Sequence, residues 1–299
     1  MKPIPPMLAV PSTGQSNRRP ILLTELASRK DWVAEEKLDG IRAILYAEGG
    51  LNRLYNRNGK EITEKFPELH NLRLPGSLVL DGELVARDGL FSTVATRDKQ
   101  TGGFKMAAKA NPCYFVAFDL LMAGGNSLME QPLRTRHLLM RNVIGRRRNI
   151  RPIKQSGAIL DLWQQVVSDG GEGIICKMRN GIYLPGKRAE SWVKFKTVRS
   201  LTAIALGYAK EARKGLAIEL AVMGYDGPVP IGRVGTGWDS RQEDQLRGRL
   251  DNGEMFPVEI HALNRTFDNK LRMAVFKGER TDLPLTAATV DQLLALPVY

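Results

Sequence analysis

Glu35-Glu36-Lys37-Leu38-Asp39-Gly40-Ile41-Arg42 is the stretch on which the reading of this chain turns. Before it, Trp32-Val33-Ala34 has the apolar character of a buried strand, and Ile41 to Tyr46 reads as the next strand. Strand side chains alternate between faces, so Glu35 and Lys37 point the same way. Gly40 permits a tight reversal, and Arg42 follows two residues later. A lysine on a rigid strand, flanked by a carboxylate and a guanidinium, suits an amine that attacks a phosphate ester. The competing and weaker reading is a surface lysine beside a turn, and the rest of the chain decides between them.

The chain has 299 residues, enough for two domains with cores of their own. Its formal net charge is +12, which favours a polyanionic partner, nucleic acid or an anionic membrane surface. No apolar run approaches the ~20 residues that span a bilayer, and Met1-Lys2-Pro3-Ile4-Pro5-Pro6 has no apolar signal core. A soluble, cytoplasmic, nucleic-acid-binding protein is the expectation, nucleoid-associated in a bacterium or in the host cytoplasm if phage-encoded. Cys113 and Cys176 lie in apolar runs and read as buried free thiols. His70, His137 and His261 are too far apart in sequence for a zinc site. Gly59-Lys60 and Gly186-Lys187 lack the rest of a phosphate-binding loop, so a nucleotide would be held by another device.

Residues 1–20 read as an extended arm and Ile21 to Ser28 as a short helix. Asn52 to Lys60 reads as a strand running into a hairpin turn at Asn58-Gly59, with Arg57 at its lip. Ser77 to Ala86 is predicted to be a strand with Asp81 and Glu83 on one face and Leu78, Leu80 and Leu84 on the other. Two acids on such a strand are either paired, bound to a cation or sugar hydroxyl, or on a solvated edge. Residues 91–112 read as a polar surface loop, and Tyr114 to Met122 as a buried strand containing Phe118.

Gln131 to Leu160 carries eight Lys or Arg and no Asp or Glu, with Arg146-Arg147-Arg148 in the middle and a helix over Leu133 to Ile144. It is either a phosphate-tracking surface or a solvated basic loop. Gly157 to Asp169 has the helical stripe Ile159, Leu162, Trp163, Val166 and Val167, which marks core. Glu172 opens the strand that ends at Lys177. Farther on, Trp192, Lys194 and Lys196 share one strand face, with Val193 and Phe195 on the other. Two adjacent lysines repel, which is most easily tolerated where an anion sits between them.

From about Ser200 the character changes to short strands interrupted by one helix, Ser240 to Leu250, with Ser240 and Glu243 as its capping box. That pattern predicts a small barrel of the OB type. The expected architecture is α+β: residues 1–199 form antiparallel sheets with flanking helices, and residues 200–299 form the OB-fold barrel.

In succession, Lys37-x-Asp39-Gly40-x-Arg42, Asp81-Gly82-Glu83, Glu172-Gly173-Ile174-Ile175-x-Lys177 and Trp192-x-Lys194-x-Lys196 resemble the motifs of the covalent nucleotidyltransferases, which comprise DNA ligases, RNA ligases and mRNA-capping enzymes. Gly232 to Gly237 and Leu271 to Gly278 are most similar to small bacterial and phage-type ATP-dependent DNA ligases. The resemblance implies a nucleotidyltransferase (adenylation) domain in which Lys37 becomes adenylated by ATP. It places Lys194 and Lys196 on the nucleotide α-phosphate with Arg42 adding positive charge, Lys177 among the ATP-binding residues, and Glu35 on the adenine or beside Lys37. Glu83 would act on the ribose or a metal, Glu172 on Mg2+ (or Mn2+), and Phe118 would stack on adenine unless it is plain core. Arg57 would touch the AMP side and the nick phosphate, although Asn56 stands where the family has a hydroxyl. Arg280 would orient pyrophosphate, with Leu283 in place of the usual lysine and Lys277 close by. The partner implied is nicked double-stranded DNA, bound by a monomer with any recruiting protein unidentified and no membrane involved. An RNA ligase, a capping-type enzyme and a non-catalytic OB module are the alternatives.

Overall fold

The computed structural model describes residues 3–13, 19–209 and 215–298. The chain falls into two units, Met1–Lys196 and Thr197–Tyr299. In order, the first contains β1 (Leu8–Pro11), α1 (Leu23–Ala27), β2 (Trp32–Glu36), β3 (Ile41–Glu48), β4 (Leu51–Asn56), β5 (Leu78–Ala86), α2 (Phe91–Lys99) and α3 (Phe104–Ala110). It continues with β6 (Cys113–Ala123), β7 (Asn126–Ser127), α4 (Leu133–Ile144), β8 (Ile150–Pro152), α5 (Ile159–Ser168), β9 (Gly173–Met178) and β10 (Arg188–Lys196).

Two sheets result. One has the order β1-β10-β9-β2; the other runs β4-β3-β5-β6-β7, with β8 paired to β6. Only β1 on β10 and β8 on β6 are parallel; the other pairs are antiparallel. Alternation sorts the side chains into three cores. Trp32, Ala34, Ile174, Cys176, Val193 and Phe195 pack with Ile159 and Val166 of α5. On one face of the second sheet, Leu45, Leu80, Leu84 and Phe115 pack with Met140 and Ile144 of α4. Its opposite face contributes Ile44, Val79, Val116 and Phe118 to a cluster that includes Trp192 of the first sheet and Tyr183.

Two expectations are corrected here. The described part of the N-terminal arm is no loose extension: Leu8–Pro11 pairs with Arg188–Lys194, and Met7 is fully buried. Residues 1, 2 and 14–18 of that arm lie outside the described residues. The segment 91–112 is two helices, not a loop. Its hidden signal is Arg97, which is 1% exposed and forks onto the Glu68 carboxylate at 2.9 and 3.1 Å. A charged residue on the buried stripe breaks the apolar pattern by which helices are recognised. Gly103, at φ 68°, turns the chain between the two helices.

The second unit contains β11 (Arg199–Tyr208), β12 (Ile218–Gly224), β13 (Gly227–Val234), α6 (Ser240–Asp251), β14 (Phe256–Ala262), β15 (Asn264–Arg265), β16 (Leu271–Arg272), β17 (Val275–Glu279) and α7 (Val290–Leu294). Five strands form an antiparallel sheet in the order β13-β12-β11-β14-β17, and β15 and β16 make a separate hairpin. Leu246 and Leu250 of α6 and Leu293 of α7 complete its core. The helix cap differs from expectation by one residue. Asp239, not Ser240, accepts the Gln242 N–H at 2.8 Å, and the Gln242 side chain returns a bond to the Asp239 N–H at 3.0 Å. Glu243 instead accepts the Leu216 N–H at 3.0 Å. Among the described residues no helix is long and apolar enough to cross a membrane.

Candidate active site

The register of the first sheet sets Trp192 opposite Lys177, Lys194 opposite Ile175 and Lys196 opposite Gly173. On the other side of β9, Val33 faces Lys177 and Glu35 faces Ile175. Just beyond β2, the Lys37 N–H donates to the Gly173 carbonyl at 2.8 Å. Glu35, Lys37, Lys177, Lys194 and Lys196 therefore share the face opposite the α5 core. In the second sheet Arg42 pairs with Glu83 and Ile44 with Asp81, on the face that carries Phe118.

Glu172 is the centre of this site. Its carboxylate, 5% exposed, accepts the Lys37 ammonium on one oxygen and that of Lys196 on the other, the latter at 3.3 Å. Gly173 makes this convergence possible. Its φ is +137°, and a Cβ there would lie 2.0 Å from the Phe195 carbonyl oxygen. Gly40 is needed for a related reason, since a Cβ would come 2.2 Å from the Leu84 carbonyl oxygen. The glycine of the organising stretch is thus a close-packing requirement.

Lys194 stands half-buried on the same face. Burial lowers its pKa, and Lys196, Arg188 and Lys37 lower it further. Glu83 is pushed up to about 8 by burial, reinforced by Asp81 and Glu172 and opposed by Arg42 and Lys37. It is therefore mostly protonated at neutral pH.

Arg42 is fixed from several sides. Its Nε and Nη2 donate to the two Asp81 oxygens, both at 2.6 Å, and Nη2 reaches the Met7 carbonyl at 3.2 Å. Its guanidinium carbon lies 4.3 Å from the Phe118 ring centroid. The Tyr183 hydroxyl donates to Asp81 at 2.6 Å and accepts the Met7 N–H at 2.9 Å. Asp81 and Tyr183 are site residues that the sequence only partly exposed. Their signal was the face that Asp81 shares with Glu83; Tyr183 sits in a loop segment with no distinguishing pattern.

Glu35 and Lys177 form a buried pair at 2.5 Å, each 2% exposed. Burial pushes the Glu35 carboxyl up, against the pull of Lys177 and of Gln155, which donates to it at 2.8 Å. The Lys177 ammonium also lies 4.0 Å from the Trp192 ring centroid and 4.6 Å from that of Phe118. Glu35 thus pairs with Lys177, and Glu172 is the carboxylate that holds Lys37.

The remaining candidates lie elsewhere. Arg57 is exposed on the turn after β4. There Asn56 makes an Asx-type turn, its Oδ1 accepting the N–H groups of Asn58 and Lys60, both at 3.0 Å. Arg146, Arg147 and Arg148 follow α4. Arg280 belongs to the second unit and pairs with Asp282 at 2.8 Å.

The site is a face of lysines converging on one buried glutamate, beside a fixed arginine and a second acid. The chain matches the ATP dependent DNA ligase domain over residues 6–196 and belongs to the ATP-dependent DNA ligase family. It is 30% identical over 270 residues to the multifunctional non-homologous end joining DNA repair protein LigD of Mycobacterium tuberculosis, covering 87% of this chain and 33% of that protein. It is 31% identical over 210 residues to a probable DNA ligase of Streptomyces coelicolor, covering 64% of this chain and 41% of that one. The chain thus spans well under half the length of these two relatives. Among solved structures, the ligase domain of M. tuberculosis LigD aligns with TM-score 0.54 at 24% identity, over 96% of this chain and 98% of that chain. A Lig E DNA ligase aligns with TM-score 0.61 at 22% identity, over 84% and 93%. These likenesses establish the shared fold.

Proposed function

We propose that the chain is an ATP-dependent DNA ligase that seals nicks between a 5′-phosphate and a 3′-hydroxyl in duplex DNA. The observation that carries this reading is the convergence of Lys37 and Lys196 on the buried Glu172 carboxylate. The neutral Lys37 amine attacks the α-phosphorus of ATP, forming a P–N bond as pyrophosphate leaves. AMP then passes to the 5′-phosphate of the nick. The 3′-hydroxyl attacks that phosphate, and AMP departs.

A free lysine is protonated at neutral pH, so the amine must lose a proton before it attacks. Glu172 is the base in hydrogen-bonding reach of Lys37. The positive charge of Lys194, Lys196 and Arg42 stabilises negative charge on the reacting phosphate. Positioning and charge neutralisation carry most of the catalysis in phosphoryl-type transfer. Phe118 and the Glu35–Lys177 pair form the nucleoside end of the site.

Glu83 and Glu172 fit a hard cation such as Mg2+. Desolvation raises the Glu83 carboxyl even against the pull of Arg42 and Lys37, and a cation beside it would offset that cost. Among the described residues no three His, Cys, Asp or Glu side chains gather around one point. Glu172 and Glu83 would therefore hold a cation only together with substrate oxygens, which is how Mg2+ is ordinarily held. When bound it supplies neutralisation of phosphate charge.

The same proposal assigns residues 1–196 as the adenylation domain and 197–299 as an OB-type barrel, on the order of its five antiparallel strands. Arg280, with Lys277 in support, would act on the pyrophosphate. The test is incubation with labelled ATP or GTP and magnesium, followed by denaturing electrophoresis. A protein–AMP adduct that needs Lys37 is expected. Labelling from GTP alone, or none at all, would overturn the reading.

A further inference from the structure

The second sheet carries a basic cavity on its far side. It is a solvent-open concavity of about 430 Å³ lined by Asn71, Leu72, Arg73, Arg146, Arg147, Arg148 and Asn149. Leu72 of its lining packs in the core that contains Met140 and Ile144 of α4, whereas Arg42 and Phe118 lie on the opposite face of the same sheet. The cavity is thus separated from Lys37 by the thickness of the sheet.

The arginines in it do different jobs. Arg147 turns back on its own helix end: its Nη1 donates to the carbonyls of Val143, at 3.1 Å, and Ile144. Its Nε and Nη2 donate to the Arg73 carbonyl at 3.3 and 3.0 Å. The guanidinium therefore satisfies the carbonyl end of α4 and ties it to the 71–73 loop. Arg73 is held in a left-handed conformation, φ 51°, which a non-glycine residue adopts at a cost. Arg73, Arg146 and Arg148 are exposed, and among the described residues none of them pairs with a carboxylate.

Asn149 is fixed at the rim, accepting from Arg87 at 3.2 Å and donating to the Glu68 carbonyl at 2.8 Å. No acid lines the cavity. The carboxylate of Glu68, whose backbone carbonyl Asn149 holds, is taken by Arg97 at 2.9 Å and by the Cys113 N–H at 2.9 Å. Three guanidiniums gathered at one concave spot, with a fourth spent on shaping it, repel one another unless an anion enters.

We infer that this cavity binds phosphodiesters of a nucleic-acid backbone away from the site of reaction, with Arg73, Arg146 and Arg148 as the contacts and Arg147 as the residue that positions them. This rests on the reading of the chain as acting on DNA, and it narrows the role of the triple-arginine run. Arg147 is not a phosphate contact, and Arg73, 73 positions earlier than Arg146, is one. Because the cavity lies behind the sheet, it should not discriminate a nick from continuous duplex.

The test measures binding of the full chain to a nicked duplex ending in a 3′-dideoxynucleotide and to an intact duplex of the same length. Fluorescence anisotropy is followed across a salt series without ATP. Each lost phosphate contact lowers the steepness of log K against log salt by about 1. Arg146→Ala/Arg148→Ala and Arg73→Ala/Arg148→Ala should each flatten the slope by ~1–2 and weaken binding roughly tenfold at low salt, on both duplexes alike. Arg147→Lys keeps the charge but cannot fork between carbonyls, and should show the same weakening together with a lower Tm. An unchanged slope in both double variants would overturn the inference, as would a loss confined to the nicked duplex. Absence of a protein–AMP adduct would instead count against the ligase reading, and these binding measurements do not depend on it.

Discussion

Arg42 and Asp81 form a two-point ion pair, with both N···O distances at 2.6 Å and the carboxylate fully buried. The Tyr183 hydroxyl completes the carboxylate's shell. Removing one partner of a buried pair leaves the other uncompensated. Asp81→Ala should therefore cost about 3–5 kcal/mol in urea unfolding. Tyr183→Phe removes the donor to Asp81 and the acceptor for the Met7 N–H, and should cost about 1–3 kcal/mol. Both should slow adenylation at saturating ATP, because Arg42 loses its fixed position. Wild-type stability in Asp81→Ala would show that the pair is not formed.

The lysines should separate by step. Lys37→Ala is expected to abolish the protein–AMP adduct and sealing from ATP, yet to keep measurable sealing of a nick that already carries AMP. Lys37→Arg should not rescue, since guanidinium stays protonated. Lys194→Ala should impair both reactions, because phosphate charge must be held throughout. Single-turnover sealing of ordinary and pre-adenylated nicks distinguishes these outcomes. A covalent adduct in Lys37→Ala would mean that another residue is the nucleophile.

Glu83 gives a pH dependence of stability whose sign is fixed. Its folded pKa, about 8, lies above its ordinary value of 4.5, so the folded state prefers the protonated form. The stabilisation is complete below about 4.5 and is lost as pH rises through about 8. At about 1.4 kcal/mol per pKa unit, the loss is of the order of a few kcal/mol. In metal-free, nucleotide-free buffer, Glu83→Gln should flatten the decline in Tm between pH 5 and pH 8 on the order of that amount. Magnesium with ATP should flatten it in the wild type. The same slope in Glu83→Gln would assign the dependence to other groups.

Arg97 supports α2 from within. Arg97→Met should cost about 3–5 kcal/mol by stranding the Glu68 carboxylate, and Arg97→Met/Glu68→Leu should recover part of it. Urea midpoints of the two variants decide the point; equal losses would mean that the pair is not coupled.

The sequence exposed what repeats at strand spacing. Lys194 and Lys196, the alternation around Asp81 and Glu83, and the glutamate opening β9 were all legible because a period of two is visible locally. What it concealed depends on partners without sequence signatures. The place of Leu8–Pro11 is set by strand β10, some 180 residues away in sequence. Helix α2 was hidden by the arginine on its buried side. Arg147 looked like its two neighbours because its partners are backbone carbonyls, which every residue possesses. The sequence left open whether Glu35 serves the adenine or Lys37 for a related reason. Both share a face, but the choice of counter-ion is made by Lys177 and Glu172 on another strand.

Gly173 has a bearing on how this chain could diverge. On the proposed function the ammonium groups of Lys37 and Lys196 serve the chemistry, and a descendant that abandoned nucleotide transfer could exchange them together with Glu172, whose buried carboxylate they neutralise. The absence of a side chain at Gly173 is a packing requirement, because a Cβ would meet the backbone of Phe195 and Lys196. In a lineage of inactive duplicates the lysines should therefore drift first while the glycine persists. Loss of the glycine with both lysines retained would be the rarer history, since it damages the scaffold and the chemistry together.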